Sequence, residues 1–381
     1  MRIGQPLDIV VLGLSITSAW GNGHATTYRA LVRALVRRGH RVRFLERDVP
    51  WYANNRDLPK PSYCDVRLYS RLEELERHSA EIARADLVIV GSYVPEGSRV
   101  IEWLLPRVGG LLAFYDIDTP VTIGKLARGE CDYLAPALVP KFDLYLSFAG
   151  GPVLQRLRDQ FGARRAQPLY CSVDPAGYFP VPRLAKSYDL GYLGTYSADR
   201  QPALERLLLE PARQWREGSF CVAGSQYPAS LKWPDNVVRV EHLVPAAHRK
   251  FYNRQRCTLN VTRADMVESG YSPSVRLFEA AACGVPIITD EWPGLQEFFT
   301  PDREILVARS TQEALAYLRD VDATVLEEVA TRARQRVLSQ HTADHRAGEL
   351  EAYVWRAVGE LNAPRRDSRA PADRRGATVQ M

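Results

Sequence analysis

Short apolar runs alternate with helical patterns along most of the chain. In the first half, runs at 8–14, 41–46, 86–91, 111–116, 143–148 and 167–171 read as strands. Between them, 24–38 (closing at Gly39), 71–84, 97–107 and 151–161 carry apolar residues at helical spacing. Alternation of this kind builds βαβ units and a parallel sheet. The stretch 49–66, with Pro50, Pro59 and Pro61 among polar and aromatic residues, reads as a long loop over the sheet edge. At 172–187 the pattern breaks: Pro175, Gly177, Pro180 and Pro182 crowd the chain as an interdomain linker does. It then restarts with strands 189–194, 219–223, 237–240, 257–262, 285–289 and 304–307 and helices 201–216, 246–254, 273–282, 311–319, 324–338 and 343–360. The expected fold is α/β, with two Rossmann-like domains, 1–183 and 184–340, whose parallel sheets face a central cleft. Ligands of such sheets bind beyond the carboxyl ends of the strands. A last helix, 341–362, is expected to pack back across the domains, and 363–381, rich in Arg, Pro, Ala and Asp without periodicity, to be disordered.

The segment from Gly270 to Asp290 carries the most chemistry. Ser272 suits an N-cap and Pro273 the first helical position, where its missing N–H is no loss. The free N–H groups of that helix start, flanked by Tyr271, Ser272 and Ser274, can hold an anion. Arg276 and Glu279 lie three apart and share a helix face, a cation for phosphate beside a carboxylate able to accept two hydrogen bonds from a ribose diol. That pairing suits a nucleoside diphosphate. The competing reading is an internal salt bridge on a helix that feeds a core strand.

Further polar loops follow other strands. Gly21, Asn22, Gly23 and His24 form half of a dinucleotide fingerprint, but Thr26 replaces its third glycine and Glu46 is the one weak candidate for the ribose acid. Glycines there would let an acceptor or the donor phosphate approach the backbone, with His24 as polar contact, base or merely solvated residue. Asp116 and Asp118, at the end of strand 111–116, are candidates for a general base or an acceptor-orienting carboxylate. The alternatives are an oxygen-ligated divalent metal or a helix cap from Asp118 or Thr119 before Pro120. After strand 189–194, Gly194, Thr195 and Tyr196 permit backbone approach and Arg200 can reach phosphate, or pair with Asp199 or Glu205. Asn260 and Arg263 follow the next strand and add polar contacts to sugar or base.

Bulk properties narrow the classes. Lys+Arg 50 against Asp+Glu 45 gives +5, and the five Arg and two Asp of 363–381 leave the body near +2. That is too weak and scattered for a nucleic-acid surface. Cysteines 64, 131, 171, 221, 257 and 283 form no C-x-x-C pair and read as reduced, buried thiols of a cytoplasmic protein. His341 and His345 are i,i+4 but lack the intervening Glu of a zinc helix, so no metal is assigned. The apolar start at 9–12 is too short for a signal or membrane segment, and no other stretch is long enough. Gly-x-Ser-x-Gly, His-Glu-x-x-His and phosphate-loop lysine motifs are missing, which removes the commonest hydrolase and NTPase readings.

With these residues assembled, the chain resembles the CgeB-like (spore-maturation type) GT-B glycosyltransferases, related to the glycosyl transferases group 1, over residues 8–361. The carriers are Trp20-Gly21-Asn22-Gly23-His24, Asp116-Ile117-Asp118-Thr119-Pro120-Val121-Thr122, Leu193-Gly194-Thr195-Tyr196 with Asp199-Arg200-Gln201-Pro202, and Ser272-Pro273-Ser274 through Gly284-Val285-Pro286. Trp292-Pro293-Gly294, His345-Arg346-Ala347 and Glu349-Leu350-Glu351 fit as well. The resemblance implies transfer of a sugar from a nucleotide-diphosphate sugar, as co-substrate without further cofactor, to a hydroxyl acceptor of glycan or polysaccharide type. It also implies retention of configuration; independence of metal is expected because Arg200, Arg276 and the helix N–H groups can neutralise the departing diphosphate. Group 1 families grip the donor with two glutamates eight positions apart; Glu279 matches the second, but Tyr271 stands at the first, with Glu268 a possible substitute. A sugar-nucleotide epimerase and a non-catalytic sugar or nucleotide binder are the rival readings. Sugar, nucleobase, acceptor and oligomeric state are not specified by the sequence.

Overall fold

The computed structural model describes residues 4–21 and 23–362, so Asn22 and the tail 363–381 lie outside the described residues. Strands β1 (Asp8–Gly13), β2 (Arg41–Arg47), β3 (Asp65–Tyr69), β4 (Leu87–Gly91), β5 (Leu111–Asp116), β6 (Leu144–Ser147) and β7 (Ala166–Pro168) form the first sheet. Every pairing in it is parallel, in the order β3-β2-β1-β4-β5-β6-β7. Strands β8 (Tyr188–Leu193), β9 (Phe220–Ala223), β10 (Val237–Val240), β11 (Gln255–Asn260), β12 (Ile287–Thr289) and β13 (Leu306–Val307) form the second, also all parallel, in the order β10-β9-β8-β11-β12-β13. In each sheet the order reverses beside the first strand, at β1/β4 and at β8/β11, which opens a crevice at the carboxyl ends.

The helices follow as α1 (His24–Arg37), α2 (Pro50–Ala53), α3 (Ser79–Arg84), α4 (Gly97–Leu104), α5 (Thr119–Arg128), α6 (Pro152–Phe161), α7 (Gln201–Leu204), α8 (Glu210–Gln214), α9 (Pro245–Asn253), α10 (Ala264–Ser269), α11 (Val275–Ala282), α12 (Thr311–Arg319), α13 (Ala323–Gln340) and α14 (Ala343–Asn362). Several depart from the sequence reading. The supposed long loop 49–66 contains α2 and runs into β3, an edge strand whose Val66, Arg67 and Leu68 stay partly or fully exposed, so its apolar signal is faint. The expected helix 201–216 is interrupted by a π turn, Glu205–Leu209, just ahead of Pro211, which has no N–H to donate to the preceding turn. Helix α11 starts at Val275 with Ser274 as N-cap, so the capping role given to Ser272 and the first-turn role given to Pro273 are both corrected. The cause is tertiary: the Cys171 thiol donates to the Pro273 carbonyl at 3.1 Å and Gly150 N–H to the Tyr271 carbonyl at 3.0 Å, which holds this segment out of the helix.

One apolar core continues from the first sheet into the second, from Ile9, Leu31 and Leu146 to Phe278, Trp292 and Val354. The final helix carries much of it. Helix α14 leaves the second domain after a bridge between Val173 and Thr342 and lies against α1 of the first. Glu351 there receives Arg38 at 2.6 Å through both of its oxygens and the buried His40 at 2.7 Å. Arg165 pairs with Glu360 at 2.7 Å, and the Tyr353 hydroxyl donates to the Pro168 carbonyl at 3.0 Å. The Arg38 guanidinium first of all holds the Glu351 carboxyl below the usual carboxylate range.

Replacing Glu351 by Gln is expected to cost about 1 kcal/mol, discounted because Arg38 is partly exposed, and to lower the thermal unfolding midpoint by about 2–4 °C. A group with a lowered folded-state pKa contributes its stability above the unfolded value and loses it as pH falls. Thermal melts of wild type and Glu351→Gln should therefore draw together as pH falls below about 4 and coincide only below the lowered folded-state value of Glu351; a gap that does not shrink over that range would remove the ion pair as its cause.

Candidate active site in the interdomain cleft

The loop after β1 is built from inside the first domain. Glu46, at the end of β2, is fully buried and accepts hydrogen bonds from Ser15 Oγ (3.0 Å), Ile16 N–H (2.7 Å), Thr17 N–H (3.0 Å) and Thr17 Oγ1 (2.5 Å). Its carboxylate is spent on shaping the loop and has nothing left for a ribose. Tyr28 of α1 covers the β1/β4 crevice: a Cβ at Gly91 would fall 1.9 Å from its hydroxyl, and one at Gly13 2.3 Å from Phe44. The crevice where a dinucleotide would rest is filled by aromatic rings, in keeping with the incomplete glycine fingerprint. Asp57 fixes the outer part of the loop through Ala19 N–H at 2.8 Å and a paired contact with Arg29. That leaves Ala19, Gly21 and Gly23 facing the second domain.

Between these residues and the second sheet lies a cavity of about 430 Å³. Its far wall comes from the carboxyl ends of β8, β9 and β11 and from α11: Gly194, Thr195, Tyr196, Arg200, Ser225, Arg263, Arg276 and Glu279. A larger groove of about 620 Å³ sits at the amino ends of β1 and β2, where Arg43 pairs with both Asp65 and Glu81. Strand polarity places it at the wrong end of the sheet for a ligand.

The cleft is rich in guanidinium groups that lack a tight carboxylate partner. Arg200 donates to the Thr195 carbonyl at 2.5 Å, and burial, ahead of all other causes, lowers its pKa. Arg276 reaches the Val261 carbonyl at 3.4 Å and lies 5.6 Å from the centre of the Tyr192 ring. Arg263 stands 3.7 Å from Asp118 and 3.9 Å from Asp199, and the Nε atoms of Arg200 and Arg263 are buried without a hydrogen-bond partner. Buried donors of this kind are costly unless something completes them. One turn of α11 beyond Arg276, Glu279 is 2 % exposed; its Oε2 accepts from the Tyr252 hydroxyl at 3.0 Å and stands 3.9 Å from His248. Arg276 and Glu279 do share one face, and Glu279 pairs with neither Arg276 nor any other guanidinium among the described residues, so the internal salt bridge is not formed. Gly224 lets the strand ends meet, since a Cβ there would fall 1.9 Å from the Gly194 carbonyl oxygen.

Other expected donor-side residues are placed elsewhere. Asn260 is 1 % exposed and donates to Thr289 Oγ1 at 3.0 Å, bracing the loop from below. Ser272 is buried, and Ser274 stands at the N-cap position of α11 without a side-chain capping bond and does not line the cavity. Tyr271 adopts φ 53° and seats its ring between Gly151 of the first domain and Gly294 of the second, where any Cβ would come within 2.6 Å of it. The position of the missing glutamate thus serves the domain joint. Glu268 lines a separate cavity with Asp290 and Arg309 and does not reach this cleft. His242 and His248 line the cleft without having been singled out; they sit on an irregular loop and on α9, where the sequence has no motif. The His242 ring also lies 4.3 Å from that of Trp20 of the first domain, tilted by 51°.

The first-domain candidates converge. Half-buried His24 opens α1 with its Nδ1 buried and without a partner, and burial holds its pKa below the ordinary histidine value, against a raising influence from Asp118. Asp118 precedes α5 but makes no side-chain cap; instead it accepts from the Tyr93 hydroxyl at 3.0 Å. Asp116 is fully buried and accepts from Tyr145 (2.6 Å), Thr122 (2.7 Å) and the Asp118 N–H (3.2 Å), with burial pushing its carboxyl up to about 6. Its oxygens are committed to this network, which orients Asp118. Among the described residues no group of three His, Cys, Asp or Glu is arranged to hold a metal. His341 is packed 5.0 Å from Phe278 as part of the core.

Residues 200–352 match the family described as glycosyl transferase-like. No curated protein matches the sequence. Among solved structures, the chain is similar to sucrose-phosphate synthase from Thermosynechococcus elongatus (15% identity, TM-score 0.66, 93% of this chain and 100% of that one). It is also similar to HepE of Anabaena, solved with UDP and glucose (12% identity, TM-score 0.69, 92% and 100%). An alpha-glucosyltransferase solved with UDP-glucose and DNA containing an abasic site gives 11% identity and a TM-score of 0.70 over 92% and 100%. No helix among the described residues is long and apolar enough to cross a membrane. The chain has the GT-B fold, two parallel-sheet Rossmann-like domains facing one cleft, with a glycosyl transferase-like region at residues 200–352.

Proposed function

We propose that the protein transfers a sugar from a nucleotide-diphosphate sugar to a hydroxyl acceptor. The observation that carries this is the interdomain cavity in which Arg200, Arg263 and Arg276 face open space beside Glu279. Guanidinium groups bind diphosphate oxygens through paired N–H donors, and a buried carboxylate suits a ribose diol. The glycosyl transferase-like match over this region and structural neighbours solved with UDP or UDP-glucose support the same reading.

In the reaction the acceptor oxygen forms a bond to the anomeric carbon while the bond from that carbon to the diphosphate breaks, and the diphosphate leaves with the electron pair. Three arginines fixed before the reaction stabilise the charge that grows on it, more in the transition state than in the ground state. These cations replace a divalent metal. The acceptor lies against Gly21, Gly23 and His24, and its proton passes to Asp118, with His24 beside it as second candidate. Asp116 positions Asp118 through the backbone. Retention of configuration is part of the proposal, the acceptor oxygen attacking on the same face that the diphosphate leaves; Tyr271 contributes to the domain joint, and among the described residues lining the cavity Glu279 is the one carboxylate.

Two experiments test this reading. Thermal unfolding with UDP, GDP, ADP or dTDP at about 100 times its dissociation constant should add roughly 2.7 kcal/mol for the matching base, a rise of about 5–10 °C. Glu279→Gln should abolish the rise with the nucleotide but keep a smaller one with inorganic pyrophosphate, whereas Arg276→Ala should lose both. No rise with any nucleotide at millimolar concentration sinks the proposal. Rates as a function of pH test His24 as the proton acceptor: in that role kcat falls on the acid side below about pH 6.5, because burial lowers that imidazole. EDTA is expected to leave the rate unchanged.

A further inference from the structure

Tyr93 is a bulky residue held at φ 63° on the loop that follows β4. A side chain of this size rarely takes a left-handed backbone, and where it does the surroundings hold it there for a reason. The carboxyl end of β4 is tied to that of β5 by the Ser92 N–H, which donates to the Tyr115 carbonyl at 3.0 Å, and by two side-chain contacts. Ser92 Oγ accepts from the Ile117 N–H at 3.1 Å, and the Tyr93 hydroxyl donates to Asp118 Oδ2 at 3.0 Å. The Tyr93 ring is itself fixed on three sides: 5.3 Å from the His24 ring, 4.6 Å from that of Tyr133, and 5.4 Å from Lys125 Nζ. Tyr133 in turn shares a 2.7 Å hydrogen bond with Thr122, which donates to Asp116, the residue that accepts from the Asp118 N–H. Asp118 is thus gripped twice, by its backbone from Asp116 and by its side chain from Tyr93.

Resting on the transferase reading above, we infer that Tyr93 is a positioning residue that aims the Asp118 carboxylate at the acceptor. With Oδ2 occupied by the tyrosine hydroxyl, rotation of the carboxylate is stopped and Oδ1 presents a lone pair in one direction. Tyr93 holds the second oxygen and passes no proton of its own. The strained backbone brings the ring over His24 and the hydroxyl to Asp118 at once, which a relaxed loop would not do.

The test is a double-mutant cycle on the full chain, with UDP-glucose as probe and UDP release into water as readout, for wild type, Tyr93→Phe, Asp118→Asn and the double variant. Tyr93→Phe keeps the ring and its packing, so the thermal midpoint should stay close to wild type. Its kcat should fall about ten-fold with KM for UDP-glucose changed by less than about two-fold, and the same substitution in the Asp118→Asn background should cost less than about two-fold, since interacting residues are not additive. Equal losses in both backgrounds, or no loss in either, overturn the assignment while leaving the transferase reading in place. A wild-type protein whose thermal midpoint is raised by none of UDP, GDP, ADP and dTDP removes the transferase reading, and the role of Tyr93 goes with it. The wild-type response to nucleotide tells these two failures apart.

Discussion

Everything at the cleft depends on the apolar joint beneath it. Phe278 of α11 stacks on His341, Phe298 meets Tyr170 edge-on at 4.9 Å, and the chain returns through α14 to cover α1. Arg346, 2 % exposed, donates to His341 Nδ1 at 2.7 Å, which fixes the proton of that imidazole on Nε2; burial first, then the arginine, pulls its pKa down to about 3. A neutral histidine can be buried against phenylalanine where a charged one would be too costly. With this core continuous between the domains, the carboxyl ends of both sheets face one another at the distance of a small cavity.

The charges above that joint follow a different rule from the charges on the surface. Outside, arginines meet carboxylates closely, as Arg41 does with Asp8 and Arg309 with Glu291. Inside the cleft Arg200 and Arg276 contact backbone carbonyls, and Arg263 stands off from two carboxylates. A cation already bidentate with a carboxylate has little left for a phosphate; one held by carbonyls keeps both its charge and its free donors. Unpartnered Nε atoms are a stability cost that ligand oxygens would remove, so affinity is stored in the unliganded site.

On the opposite wall polar groups are spent in order to orient others. Glu46 gives its whole carboxylate to the loop of Ser15, Ile16 and Thr17, and Asp116 gives its own to Tyr145, Thr122 and the backbone of Asp118. Two buried acids thus hold two loops rigid, and the less buried Asp118 and His24 are presented on them. Rigid loops at strand ends supply the positional accuracy that transfer between two bound substrates needs.

Periodicity alone determined most of the alternation of strands and helices and the two parallel sheets, because buried parallel strands are continuous apolar runs that stand out from their surroundings. The pair Arg276 and Glu279 was legible for a similar reason: spacing on a helix dictates a shared face. Edge strand β3 and helix α5 were not, the one being half polar and the other hidden behind a proline that reads as a loop. Which polar residue works and which merely supports was also beyond the sequence. Asp116 and Asp118 are two residues apart and chemically alike, yet one is sealed under Tyr145 and the other left 14% exposed opposite Arg263. Tyr93 carried no motif at all, and Tyr271 stood in a glutamate's position with its ring committed to two glycines from different domains. Local pattern determines an element and its face, but burial and hydrogen-bond partners come from segments far apart in the chain, and only the packed tertiary structure decides them.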